Sequence, residues 1–130
     1  MSFSDRNDCV EYRLSKAKES LKAAEVSTES QLWSSAINRL YYSCFYAVNA
    51  LLVASKIEAK THSGLKNQFS LHFIKTQKME RKFGELFSDL FDWRQKGGYG
   101  DIFEFDEHVV RAHINPVRNF IREVERMIYQ

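Results

Sequence analysis

Asn38-Arg39-Leu40-Tyr41-Tyr42-Ser43-Cys44-Phe45-Tyr46 decides how this chain reads, because it sets an amide, a guanidinium and three tyrosines inside a long apolar helix. Around it, Leu32, Trp33, Ala36, Ile37, Leu40, Tyr41, Cys44, Phe45, Val48, Leu51 and Leu52 recur at spacings of three and four, the core stripe of an α-helix. Tyr42, Tyr46 and Asn49 cover the flank. The reading is a helix from about Gln31 to Ser55, apolar nearly all round and central to its domain. Asn38 and Arg39 are then expected to be buried and to need partners, since unpaired polar groups inside a protein are costly. Those partners could form a structural network tying helices together or a functional site.

Helical periodicity continues in both directions. Helix 1 is expected to start at Ser4 or Asp5 as cap and to turn Val10, Leu14, Ala17, Leu21 and Ala24 inward, with Ser27-Thr28-Glu29-Ser30 as the turn after it. Thr61-His62-Ser63-Gly64 offers hydroxyls to cap helix 3, which carries Leu65, Phe69, His72 and Phe73 on one side. Helix 4, from about Met79 to Arg94, shows Phe83, Leu86, Phe87, Leu90 and Phe91, with Gly97-Gly98 as its C-cap. Helix 5 follows Phe105 with Asp106 as cap and carries Val110, Ile114, Val117, Ile121, Val124 and Ile128. Pro116 either kinks it or restarts it. The fold class is all-α, an antiparallel bundle of five helices spanning residues 1–130 as one domain.

Composition narrows the function classes. The net charge of +2 is near balance, so it neither requires nor excludes nucleic acid. Cys9 and Cys44 lack metal or disulfide spacing and read as reduced thiols of a cytoplasmic protein. No apolar run is long enough to span a bilayer, and the N-terminus does not resemble a signal peptide. No cofactor or metal is expected. Helical di-iron sites need an acidic residue three positions before each histidine, whereas Ala59, Phe69, Phe105 and Val110 precede His62, His72, His108 and His113. Phosphate loops, nucleophile elbows and zinc spacing are absent.

Two constellations remain. Arg94 extends the inward stripe of helix 4 by one step, and Tyr99, Gly100 and Asp101 follow closely. A cation at a helix C-terminus also suits the helix dipole, so a structural role competes with phosphate recognition by the guanidinium fork. A nearby tyrosine could stack on a base. His62 could act as acid or base, or simply support the start of helix 3.

Taken together, Asn38-Arg39-Leu40-Tyr41-Tyr42, Lys60-Thr61-His62-Ser63-Gly64 and Arg94 with Tyr99-Gly100-Asp101 resemble the HEPN-domain family, in its stand-alone prokaryotic branch related to the HEPN partners of minimal nucleotidyltransferases. The similarity covers nearly the whole chain. It implies a mostly up-and-down five-helix bundle, a homodimer, and a minimal nucleotidyltransferase partner in a toxin-antitoxin pair. Active HEPN members are metal-independent ribonucleases that use an arginine and a histidine close together in sequence at the dimer cleft. Here Arg94 is followed by Gln95-Lys96-Gly97-Gly98-Tyr99-Gly100-Asp101, without that histidine, and Gly98 stands where the branch usually has an aspartate. Tyrosine titrates near pH 10 and makes a poor base at neutral pH. The expectation is a dimeric RNA- or nucleotide-binding module with a degenerate nuclease motif. Its cleft would be built from Arg94, Tyr99, Asp101, His62, Arg39, Asn38 and Tyr42. Alternatives are a ribonuclease using Arg94 with His62 as a non-standard base, and a plain interaction protein. Surplus aromatics among Trp33, Phe87, Phe91 and Trp93 would supply the dimer face.

Overall fold

The computed structural model describes residues 2–97 and 105–130, with backbone only for residues 96 and 97. Five α-helices occupy most of the described residues: α1 (Phe3–Glu29), α2 (Trp33–Ala54), α3 (His62–Phe69), α4 (Arg81–Gly97) and α5 (Glu107–Tyr129). A single π-helical stretch, Ser70–Ile74, prolongs α3.

The first hairpin is closed by backbone chemistry rather than by a polar turn. α1 runs through Ser27, Thr28 and Glu29, so the turn expected there begins only at Ser30. Thr28 is buried and returns its hydroxyl to the Ala24 carbonyl at 2.8 Å. Gln31 takes a left-handed φ of 60°, Gln31 N–H donates to Thr28 O, and Leu32 N–H donates to Ser27 O. That pair of bonds is a Schellman closure, which satisfies carbonyls the helix end would otherwise leave open. The same closure ends α2, with Lys56 at φ 61° and Ile57 N–H reaching Leu52 O. At the other end of α1, Ser2 and not Ser4 or Asp5 is the N-cap, its side chain accepting from Asp5 N–H at 3.1 Å.

α2 is the centre of the molecule and packs against α1, α3, α4 and α5. Its buried residues include Ala36, Ile37, Leu40, Tyr41, Ser43, Cys44, Ala47 and Val48. Ser43 Oγ donates to Ala17 O at 2.8 Å, which places the middle of α2 beside the middle of α1. Lys18 pairs with Glu125 and Arg118 with Glu25, so residue numbers rise on one helix as they fall on the other, and α1 and α5 run antiparallel. Phe83, Leu86, Phe87, Leu90 and Phe91 from α4 and Val110, Val117, Phe120, Ile121 and Val124 from α5 complete the core. α5 passes through Pro116 as one helix, capped by the Asp106 carboxylate on Val109 N–H at 2.9 Å.

Three further expectations change. Asn38 and Arg39 are exposed, not buried. At about 100° per residue, Asn38, Arg39, Tyr42, Phe45, Tyr46 and Asn49 share one side of α2, opposite its buried arc. The helix therefore has a polar and aromatic outer face. Phe45 and Leu32, placed on the inward stripe from spacing, are half-buried and exposed respectively. Phe87 and Phe91 lie in the core of a single chain and are not available to a dimer face, whereas Trp33 and Trp93 remain half-buried.

Candidate functional site

The outer face of α2 meets the start of α3 and the end of α4, and there the polar groups converge. Thr61 caps α3 by accepting from Gly64 N–H at 2.9 Å. A Cβ on Gly64 would sit 2.9 Å from that same Thr61 oxygen, so a side chain there would make the capping hydroxyl shift. This cap fixes His62 at the first position of the helix, with its imidazole stacked on Phe45 at 4.4 Å and on Tyr41 at 5.9 Å.

Arg94 enters from the last turns of α4. Its Nη2 donates to the Tyr42 hydroxyl at 2.8 Å, and its guanidinium carbon lies 5.3 Å from the Tyr41 ring centre and 5.2 Å from that of Tyr42. The cation is thus held by two π faces and one neutral acceptor. Among the described residues no carboxylate pairs with it. A guanidinium carries five N–H donors, and this arrangement orients it without neutralising it.

Tyr41 is the member that spacing alone assigned to the apolar core. Its ring is fully buried, stacked on Phe87 at 5.9 Å, yet its hydroxyl lies 2.7 Å from His62 Nδ1. Burial holds the Tyr41 phenol well above the usual tyrosine value, with the Arg94 charge working in the opposite direction. Burial, and then the positive charge of Arg94, lower the His62 pKa from its ordinary value. At neutral pH both groups are therefore uncharged. Among the described residues His62 Nδ1 is the one acceptor within reach of the Tyr41 hydroxyl, so the phenol donates to it and the ring proton is assigned to Nε2. In that tautomer Nε2 is a hydrogen-bond donor. The signal that could have found Tyr41 was its hydroxyl, since a buried tyrosine nearly always gives that group a partner.

The structure brings Arg94, Tyr42 and His62 together around Tyr41 and Phe45. It does not bring Asn38 and Arg39 there. They line a separate groove between α1 and α2, joined to the Arg94 cluster through Tyr42. Tyr99 and Asp101 lie outside the described residues. Among those residues no group of three or more histidine, cysteine or acidic side chains is placed to hold a metal ion, and no helix is long and apolar enough to cross a membrane. Cys44 is buried and its thiol is pushed up by that burial, which leaves it unreactive.

Comparison with known proteins agrees with this architecture. The HEPN domain model matches residues 10–127, and the chain belongs to that family. Among its relatives, a "UPF0332 protein" of Thermotoga maritima is 33% identical over 126 residues, covering 97% of this chain and 96% of that protein. A Methanocaldococcus jannaschii protein named "Putative toxin MJ0142" is 29% identical over 119 residues, covering 92% of this chain and 81% of the relative. A second from that organism, "Putative toxin MJ0605", is 31% identical over 83 residues, 64% of this chain and 62% of the relative.

Proposed function

We propose that this chain is a dimeric HEPN module of the toxin type that binds RNA or a nucleotide phosphate at Arg94, cleaves RNA slowly or not at all, and works beside a minimal nucleotidyltransferase. The observation that carries the reading is the Arg94 guanidinium, poised over Tyr41 and Tyr42 with no carboxylate partner among the described residues. A fork held this way presents paired donors to a phosphate. His62 Nε2–H adds a donor of the same polarity. Slow chemistry follows from the same geometry, because a protonated Nε2 cannot take a proton from a ribose hydroxyl. The names of two relatives support the toxin type.

The test is binding of single-stranded RNA by fluorescence anisotropy across a salt series. Affinity should fall steeply with salt, and Arg94→Ala should weaken binding and reduce the logarithmic slope by about 0.7, the share of one phosphate on a single strand. Salt-independent binding, or an Arg94→Ala slope equal to wild type, would remove the reading. Light scattering at tens of micromolar tests the dimer, and co-purification with a nucleotidyltransferase encoded beside it tests the partner.

One observation favours a ribonuclease as second reading: His62 is held uncharged beside Arg94, and an imidazole that moves its proton to Nδ1 could serve as base. Metal-independent cleavage that disappears in His62→Ala, with RNA binding retained, would establish it.

A further inference from the structure

The groove that holds Asn38 and Arg39 is not explained by the Arg94 cluster. It encloses about 350 Å³ and is lined by Lys16, Glu19 and Ser20 from α1 and by Asn38, Arg39, Tyr42 and Tyr46 from α2. Arg13, Lys16 and Ser20 stand three and four residues apart on α1, and Arg39, Tyr42 and Tyr46 do the same on α2. With Ser43 tied to Ala17, these two stripes run beside each other along the hairpin. Arg39 has no ion-pair partner among the described residues. Lys16 makes a 3.5 Å contact to the well-exposed Glu19, and its ammonium lies 5.7 Å from the Tyr12 ring centre. One step along the stripe, the buried Nε of Arg13 has no hydrogen-bond partner among the described residues.

Tyr42 belongs to both places: its ring and hydroxyl face Arg94, and it lines the groove with Tyr46, whose ring centre is 6.1 Å away. Lys16 stands on the α1 wall beside Glu19, and Arg39, Asn38 and the phenol rings of Tyr42 and Tyr46 form the α2 wall. Two cations, an amide and two aromatic faces along one groove suit a strand with charged phosphates and unpaired bases. The groove lacks the apolar anchor pocket on which protein partners concentrate their binding energy. A duplex would hide its bases from the tyrosines.

We infer that the α1–α2 groove is a second subsite for single-stranded RNA, receiving the nucleotides adjacent to the phosphate held at Arg94. Arg39 and Lys16 contact phosphates, Tyr46 offers a stacking face, and Asn38 meets a base edge or a ribose. The inference rests on the Arg94 reading for where the strand begins. Its own content is that affinity grows with strand length through Arg39 and Lys16.

The experiment compares a uridine dinucleotide with an oligouridylate of about ten nucleotides, within the range of single-strand site sizes, by fluorescence anisotropy on the full chain. The Lys16→Ala/Arg39→Ala double variant should bind the longer strand at least tenfold more weakly than wild type. Its logarithmic salt slope for that strand should be smaller by about 1.4, for two phosphates. Its affinity for the dinucleotide should be unchanged. Arg94→Ala should weaken both ligands. If the double variant binds the long strand like wild type, or loses both lengths equally, the second subsite is overturned. An equal loss in a Lys75→Ala/Lys78→Ala control would overturn it too, since that pair lies outside the groove and would report charge alone. Displacement of the RNA by polyglutamate at equal concentration would overturn it in favour of an acidic protein ligand. If Arg94→Ala binds the dinucleotide normally while the double variant still loses the long strand, the groove stands and the Arg94 reading fails.

Discussion

Tyr41→Phe removes one oxygen and leaves a buried ring in place, so it isolates the Tyr41–His62 bond. The ring itself is fully buried and contacts Tyr42, Phe87 and Phe91 with centres 5.1 Å, 5.9 Å and 6.1 Å away, contacts that phenylalanine keeps. What disappears is the 2.7 Å hydrogen bond to His62 Nδ1. A neutral intramolecular hydrogen bond contributes about 0.5–1.5 kcal/mol net, and an orphaned buried partner would add about 1–3 kcal/mol. His62 is only half-buried, so water can reach its ring and the orphan penalty stays small. The expected loss is about 1 kcal/mol in urea denaturation at unchanged m-value, or a fall of about 4 °C in Tm. The more specific readout is nitrogen NMR of the imidazole. Wild type should show the Nε2–H tautomer at neutral pH, and Tyr41→Phe should populate Nδ1–H as well. A loss above about 3 kcal/mol would mean that the ring packing had been broken rather than one bond removed. An unchanged tautomer would refute the claim that Tyr41 directs the His62 proton.

The depressed His62 pKa makes stability depend on pH. The unfolded chain takes up the imidazole proton more readily than the folded one, so this contribution is complete above about pH 6.5 and is lost as pH falls from there through the folded value. Denaturation midpoints should drop between pH 7 and pH 5, and Arg94→Gln should lessen that drop; an identical pH profile in the variant would show that the charge of Arg94 does not reach His62. Phe45→Ala should cost about 1–2 kcal/mol, below the range of about 3–5 kcal/mol for a fully buried phenylalanine, because the ring is only partly buried and its closest aromatic neighbour is His62 at 4.4 Å. A loss above about 3 kcal/mol in chemical denaturation would place Phe45 in the core after all. Gln31 holds a left-handed φ of 60° at the α1–α2 turn, so Gln31→Gly should gain about 0.5–1 kcal/mol, visible as a higher urea midpoint. A lower midpoint would mean that the flexibility glycine adds to the unfolded chain outweighs the relief of strain.

The helices and their inward stripes were legible in the sequence because burial repeats every three to four residues and leaves its mark on composition. Val10, Leu14, Ala17, Leu21 and Ala24 on α1, Phe83 to Phe91 on α4 and Val110, Val117, Ile121 and Val124 on α5 stand in the core as their spacing implied, while Ile114 and Ile128 are only partly buried. The caps at Thr61 and Asp106 were readable too, since a cap is a local bond between residues three apart. The ends of α1 were less so. Ser2, Ser4 and Asp5 are all competent caps, and the Schellman closure at Gln31 depends on backbone angles that no glycine announced.

Which side of α2 faced outward was settled only by tertiary packing. Tyrosine and phenylalanine are compatible with core and surface alike, so a helix rich in them looks apolar all round until its neighbours are placed. α1, α4 and α5 cover one arc of α2, which leaves Asn38 and Arg39 exposed in a groove rather than buried in a network. The same packing made the core residue Tyr41 also the partner of His62, and set Arg94 against Tyr42, 52 positions away in the chain. Residue types and their periodicity record how much each position is buried. They do not record which distant side chain a hydroxyl or a guanidinium will meet, because that depends on how three helices approach one another.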